Sequence, residues 1–283
     1  MSFTSLAPQA SASAISPPAR VKGGILDLPP PRQGDPRFAT RELPDDPAMP
    51  VTFIGDVHGW STRLEQVLAQ SEDALVFMGD LIDRGPDAPA VLERVKDLCA
   101  AGRARCLLGN HEFALLNSIG APTRGILAQD RWFRSWRDHY GGHQVLAAYG
   151  ARDAAELRTA MGERLVNWLA QLPWCLSDTA NGCPWIAVHA GMMPEVPLRD
   201  QLTDLADGWS RLGDWPFHLY DKQHVRDVPI DLPHGTVLVS GHVPLDDPLV
   251  TPQRILCDTT GGLPQRRLSG VVWPSGRVIR SEP

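Results

Sequence analysis

Short apolar runs recur along this chain, and polar or glycine-containing turns end each of them. Val51-Thr52-Phe53-Ile54, residues 74–78 and residues 105–108 are three such runs, each of strand length. Between them the period changes. After Ser61, a residue able to cap a helix, Leu64, Val67 and Leu68 share one helical face. After Asp87, Val91, Leu92, Val95 and Leu98 do the same. Strand, helix, strand, helix, strand predicts parallel pairing with right-handed crossovers, hence an α/β fold.

Residues 112–172 carry no strand signal. Phe113 to Leu116 continues a helix, and Trp132, Phe133, Trp136 and Tyr140 follow. Gly141-Gly142 then precedes a second helical stretch. This predicts a helical insert whose aromatic residues pack within it; the glycine pair is either a simple turn or a place where backbone approaches the site. Residues 185–188, 237–239 and 255–257 read as strands of a second sheet. Residues 268–273 read as the last strand, followed by a turn at Pro274-Ser275-Gly276. Ahead of all this, residues 1–47 are proline-rich, with three consecutive prolines at 29–31. Proline fixes φ and removes a donor, so an extended or disordered segment is expected before a domain spanning 48–283.

Composition narrows the class. Of 283 residues, 43% are hydrophobic and 21% charged, as in globular proteins with a packed core. The net charge of −6 argues against a nucleic-acid partner held on a broad basic face. No run approaches the roughly 20 apolar residues of a membrane span, and the N-terminus has no apolar core of a signal peptide. Cys99, Cys106, Cys175, Cys183 and Cys257 form no C-x-x-C pair and are odd in number. Reduced thiols and a cytoplasmic location are expected.

The candidate chemistry lies where the first three strands end. The motifs there are Gly55-Asp56-Val57-His58-Gly59, Gly79-Asp80-Leu81-Ile82-Asp83-Arg84-Gly85 and Gly109-Asn110-His111-Glu112. In open α/β sheets ligands gather outside the carboxyl ends of the strands. Asp56 and His58 are one residue apart, and in extended backbone such residues point the same way, so both can hold one metal. Asp80 has two oxygens, enough to bridge two cations roughly 3.5–4 Å apart. Asn110 offers a carbonyl oxygen. His189 and His242 each follow an apolar strand; in isolation both read more simply as strand-end residues with satisfied hydrogen bonds.

Taken in order, these motifs resemble those of the phosphoprotein phosphatases within the calcineurin-like metallophosphoesterases. Compact bacterial and phage phosphatases and diadenosine tetraphosphatases are the nearest in pattern, over residues 51–272. The resemblance implies a four-layer α-β-β-α sandwich of two mixed sheets with a helical insert. It implies two divalent metal ions, one on Asp56, His58 and Asp80, the other on Asp80, Asn110, His189 and His242. An oxygen and imidazole set without thiolate suits Mn²⁺, with Fe or Zn²⁺ as alternatives. The resemblance also pairs His111 with Asp83, the histidine protonating the departing oxygen, and gives Arg84 a phosphate-binding role. Trp209-Ser210-Arg211 resembles the Trp-x-Arg segment of the compact phosphatases, which makes Arg211 a second phosphate clamp. His139, His143, His218, His224 and His234 lie outside every motif and are expected in loops or on the surface.

Metal motifs do not choose the substrate. Asp83-Arg84 favours a serine/threonine-type protein phosphatase, because a serine alkoxide leaves poorly and needs the acid. A tyrosine-directed phosphatase and a dinucleoside polyphosphate hydrolase are the alternatives, with a degenerate phosphate-binding module third. The expected partner is a phosphorylated protein or small phosphoester, with no nucleic acid and no membrane. One departure from the compact phosphatases stands out: Cys257-Asp258-Thr259-Thr260-Gly261-Gly262 replaces their Asp-Thr-Gly-Ala and changes the expected pocket floor.

Overall fold

The computed structural model describes residues 49–206, 208–211 and 215–283; the segment expected to be extended, residues 1–47, lies outside the described residues. The chain opens as a βαβαβ unit: β1 (Val51–Ile54), α1 (Ser61–Leu68), β2 (Ala74–Phe77), α2 (Ala88–Ala100) and β3 (Ala104–Cys106). A helical stretch follows: α3 (Asn110–Ile119), α4 (Asp130–Ser135), a π-helical turn over Trp136–Tyr140, α5 (Gly142–Tyr149) and α6 (Ala154–Ala170). Then come β4 (Cys175–Ala180), β5 (Cys183–Val188), α7 (Leu198–Ala206), α8 (Gly208–Arg211) and α9 (Phe217–Tyr220). The chain finishes with β6 (Val237–Ser240), β7 (Leu249–Val250), β8 (Arg254–Leu256), β9 (Ser269–Trp273) and β10 (Arg277–Arg280).

Two mixed five-stranded sheets result, ordered β10-β9-β1-β2-β3 and β4-β5-β6-β8-β7. β1, β2 and β3 pair in parallel, as do β5, β6 and β8. Side-chain alternation explains how the sheets stack. Val51 and Phe53 of β1, Val76 of β2, Trp185 and Ala187 of β5, and Val237 and Val239 of β6 form one buried cluster between the sheets. Phe53 meets Trp185 edge-on there, with ring centroids 5.2 Å apart. The intervening residues turn to the helices: Ile54, Leu75 and Phe77 pack with Leu64, Val91 and Leu92, while Ile186, Val188 and Leu238 join a cluster containing Leu198 and Leu202. Each such side chain, fully buried, contributes about 1.5–3 kcal/mol.

Three details differ from the sequence reading. Ser61 does not cap α1, whose N-cap is Trp60 without a side-chain bond; the Ser61 hydroxyl donates to Asp87 at 2.9 Å instead. Asp87 does cap α2, accepting from the Ala90 N–H. Second, β4, β7 and β10 were not foreseen, and β10 rather than residues 268–273 ends the fold. All three are sheet edges; β4 and β10 carry the polar residues common there, which weaken the apolar signal, and β7 is only the dipeptide Leu249-Val250. The β4–β5 hairpin does carry a signal, Asn181-Gly182, both at positive φ (49° and 74°), as a tight primed turn requires. Third, β8 begins one residue before the 255–257 read from the sequence, with Arg254 buried within it. Its guanidinium donates to the carbonyls of Val225, Leu238, Ile255 and Ala190 and to the Ser240 hydroxyl, tying β8 to β6 and to the segment after β5.

All five cysteines are free. Burial pushes the Cys99 and Cys175 thiols up to about 12 and those of Cys106 and Cys257 higher than usual as well. No helix among the described residues is long and apolar enough to cross a membrane.

Candidate functional site

The parallel strands of both sheets deliver the candidate residues to one place. Asp56 and His58 follow β1, Asp80, Asp83 and Arg84 follow β2, and Asn110 and His111 open α3 just after β3. His189 follows β5 and His242 follows β6. Among the described residues six non-glycine residues adopt positive φ: His58, Asp80, Asp83, Arg84, Asn181 and His242. All but the hairpin residue Asn181 belong to the candidate site. Left-handed backbone is disfavoured for such residues and persists where surroundings enforce it, commonly at functional sites.

Glu112 supplies part of that enforcement. Its buried carboxylate accepts the backbone N–H groups of Asp80 and Gly109 on one oxygen and of Leu81 and Ile82 on the other, at 2.8–3.3 Å. The motif after β3 thus holds the turn that carries Asp80. Burial and the nearby Asp80 charge push the Glu112 carboxyl up to about 7, against the pull of the backbone donors. Sequence reading quoted Glu112 in its motif but gave it no task. Two glycines allow the close approach: a Cβ on Gly109 would overlap the Asp80 carboxylate, and one on Gly241 the Asp56 carboxylate.

Asp80 lies at the centre. The Nε2 atoms of His189, His111 and His58 stand 3.4, 3.7 and 4.0 Å from its carboxylate oxygens. Burial opposes its charge, yet the imidazoles of His189, His111 and His58 hold its carboxyl well below the usual range. Two groups of ligand-type atoms share it: His58, Asp80 and His111, and Asp80, His189 and His242. Asn110 Oδ1 lies 2.9 Å from His189 Nε2 and 2.9 Å from His242 Nδ1, so it joins the second group. Asp56, read from the sequence as a ligand beside His58, is in neither group; it is buried, its carboxylate accepting the His242 backbone N–H at 3.0 and 3.1 Å. Burial, then the Asp258 and Asp80 charges, push the Asp56 carboxyl well up.

The donor set fits divalent cations. His58 Nδ1 donates to the Ile82 carbonyl at 2.9 Å and His189 Nδ1 to the Met78 carbonyl at 2.7 Å. That second bond occupies Nδ1 and turns Nε2 toward Asp80, the orientation usual in metal-ligating histidines; burial opposes charge on the ring, but the Asp80 charge raises the His189 imidazole. Burial holds His58 down to about 4 and His242 to about 3, so both rings are neutral near pH 7. The carboxylates of Asp56, Asp80, Asp83, Glu112 and Asp258 are all buried around one cleft. Arg84 is the guanidinium among them, and the raised carboxyls of Asp56, Asp83, Glu112 and Asp258 mean that so many buried acids cannot all ionise without further cation.

Beside the metal-type residues stands a buried histidine–carboxylate pair. His111 Nδ1 and Asp83 Oδ2 are 2.6 Å apart and share one proton. Burial lowers the His111 imidazole and raises the Asp83 carboxyl. Trp136, fully buried in the π-helical turn, donates its indole N–H to both Asp83 oxygens at 3.0 and 3.1 Å. The sequence places Trp136 among packing residues of the insert, and nothing in its local pattern reports this bond. Gly142 leaves the room its ring needs. Arg84 spans the cleft, with Nη1 3.1 Å from His58 Nε2 and 2.9 Å from the Gly261 carbonyl, and Nη2 3.1 Å from His111 Nε2.

The altered floor cradles that arginine. Gly262 leaves space for the Arg84 side chain, and the Thr260 hydroxyl donates to the Asp56 carbonyl at 2.7 Å. Asp258 accepts the N–H groups of Thr260 and Gly261 on one oxygen. Its other oxygen is buried with no hydrogen-bond partner. Arg211 ends α8, and its side chain lies outside the described residues. His218 is buried rather than exposed, Nδ1 donating to the Gly191 carbonyl at 2.9 Å. The remaining histidines outside the motifs, His139, His143, His224 and His234, take no part in the cluster.

Comparison with known proteins bears on this geometry. A curated relative from Ralstonia nicotianae named "Bis(5'-nucleosyl)-tetraphosphatase, symmetrical" is 32% identical over 157 residues, 55% of this chain and 46% of that protein. The chain spans about half the length of the curated relatives it matches. Among solved structures, one provisionally identified as a diadenosine tetraphosphatase aligns with a TM-score of 0.53 and 21% identity, over 84% of this chain and 95% of that one. A protein serine/threonine phosphatase from Saccharomyces cerevisiae aligns with a TM-score of 0.51 and 14% identity, over 86% and 82%. The family model described as calcineurin-like phosphoesterase matches residues 49–258, a span holding every residue of the cluster. With the two mixed sheets and this cluster of carboxylates and imidazoles, that match makes the chain a member of the calcineurin-like phosphoesterase family.

Proposed function

We propose that this protein is a metal-dependent phosphoric ester hydrolase whose preferred substrates are dinucleoside polyphosphates. The observation that carries the substrate class is the name borne by its curated relatives, symmetrical bis(5'-nucleosyl)-tetraphosphatase. The order drawn from the sequence, phosphoprotein first, is thereby reversed. The fold does not discriminate, since structures of both kinds align about equally well.

Asp56, His58 and Asp80 would hold one divalent cation, and Asp80, Asn110, His189 and His242 a second; manganese is the ion best suited to this set. When bound, the pair supplies neutralisation of phosphate charge and a lowered pKa for the water that attacks phosphorus. The chain's own residues do the rest. Arg84 already reaches across the cleft, and its planar fork suits two phosphate oxygens. A phosphate there replaces His58 and His111 as its partners. The added negative charge also favours protonation of His111. With Asp83 holding Nδ1, His111 Nε2 then faces the departing oxygen and delivers the proton. Arg211 is assigned to a second contact with the phosphate.

The acid pair keeps a second reading open, hydrolysis of phosphoproteins on serine, threonine or tyrosine, because 2.6 Å between His111 and Asp83 is a geometry that serves a basic leaving group. Product analysis tests the first reading. Protein stripped by a chelator and reloaded with Mn²⁺ should convert diadenosine tetraphosphate to ADP alone. Products of ATP and AMP, or no turnover beside active hydrolysis of an aryl phosphate, would overturn it.

A further inference from the structure

A dinucleoside polyphosphate presents a flat base at each end of a polyanion. A site for it needs an aromatic face beside its phosphate-binding residues. Among the nine tryptophans, all of them described, Trp215 alone is exposed, at 62%. The indole is nevertheless held. It lies tilted against Trp132, with centroids 5.2 Å apart at 35°, and edge-on to Tyr220 at 4.7 Å. Trp132 is itself buried and backed by Phe113 at 5.6 Å.

These contacts lead straight to the site. Phe113 sits in α3, one turn beyond Asn110. Tyr220 ends α9, and α9 is fixed to the residues after His189: Ala190 N–H donates to the His218 carbonyl at 3.0 Å, and His218 Nδ1 to the Gly191 carbonyl. The His242 ring lies against the Tyr220 backbone. Tyr140, whose side chain lies beside that of Tyr220, packs edge-on to His111 at 5.0 Å. Lys222, exposed two residues past Tyr220, is near enough for its charge to act on His242.

We propose that Trp215 is a stacking surface for one nucleobase of the substrate, at the rim of the phosphate cleft. This rests on the dinucleoside reading above. An indole fixed by two aromatic neighbours loses little freedom when a base covers it, and base–aromatic stacking is sequence-tolerant because every base has a π-face. Trp132 and Trp136 are buried and offer no face to a base; the platform is contributed from outside the helical stretch, by Trp215 two residues before α9.

The test uses the Mn²⁺-loaded full chain with Trp215→Ala and Trp215→Phe. On diadenosine tetraphosphate the alanine variant should raise KM roughly tenfold or more with kcat nearly unchanged, while phenylalanine keeps most of the affinity. p-Nitrophenyl phosphate, which has no base, should be hydrolysed by both as by the parent protein. A calorimetric titration with ADP and with inorganic pyrophosphate completes it. ADP should bind the parent protein more tightly than pyrophosphate, and Trp215→Ala should abolish that difference. Unchanged diadenosine tetraphosphate KM in the alanine variant, or equal losses on both substrates, would overturn the stacking role alone. A base-dependent difference in binding without diadenosine tetraphosphate turnover would instead overturn the functional reading and leave the stacking surface standing.

Discussion

The indole N–H of Trp136 bonds both carboxylate oxygens of Asp83, the residue that in turn holds His111 at 2.6 Å. The helical stretch after β3 therefore reaches back to hold a histidine–carboxylate pair built on two strand ends, the pair proposed above to transfer the proton. Hydrogen bonds to charged groups are worth about 1.5–3 kcal/mol. Trp136→Phe keeps the ring and removes only the donor. It should lower kcat on phenyl phosphate several-fold and on p-nitrophenyl phosphate much less, because the better leaving group needs less help from His111. Equal losses on the two esters would show that Trp136 acts by packing alone.

Glu112 collects four backbone N–H groups from the turn of Asp80 and from Gly109. Glu112→Gln replaces one acceptor by a donor facing those same groups, so the strained Asp80 turn, at φ 51°, loses its anchor. Groups that orient metal ligands typically change affinity by about 10- to 100-fold when mutated. Isothermal titration with Mn²⁺ should show a loss of that order. Unchanged affinity would mean that the turn holds itself.

Much of this was legible in the sequence, for a physical reason. Parallel strands must end where their side chains turn from core to cleft, so the apolar runs and the Asp, Asn and His residues that follow them could be read together. The bonds of Glu112 and Trp136 could not. Each depends on distances between segments far apart in the chain, and nothing in a local period reports an indole aimed at a carboxylate. Edge strands β4 and β10 escape because an edge exposes polar residues, and β7 because two residues carry no period. Trp215 escaped because one aromatic residue in a loop carries no pattern; only its exposure beside Tyr220 gives it meaning.

Asp258 makes a pH-dependent prediction. Burial raises its carboxyl to about 6 from the usual 3.8, despite the N–H groups of Gly261 and Thr260. Between those values the folded protein holds a proton that the unfolded chain has released, so this group's contribution to stability falls as pH rises from about 4 through about 6. Asp258→Asn keeps an acceptor for the two N–H groups and removes the charge. In metal-free protein the variant should be the more stable at pH 8, by up to ~3 kcal/mol for two pKa units, and equal to the parent at pH 4. Denaturant melts at both pH values check it. A parent protein more stable than the variant at pH 8 would contradict the account.

The central claim is that this cluster of carboxylates and imidazoles serves a dinucleoside polyphosphate rather than a phosphoprotein. The most direct measurement is kcat/KM of the Mn²⁺-loaded protein on diadenosine tetraphosphate, beside phosphoserine, phosphothreonine and phosphotyrosine peptides under one set of conditions. The account predicts that diadenosine tetraphosphate exceeds every peptide by roughly tenfold or more, a difference of about 1.4 kcal/mol in transition-state binding. A phosphopeptide cleaved more efficiently than diadenosine tetraphosphate would contradict it.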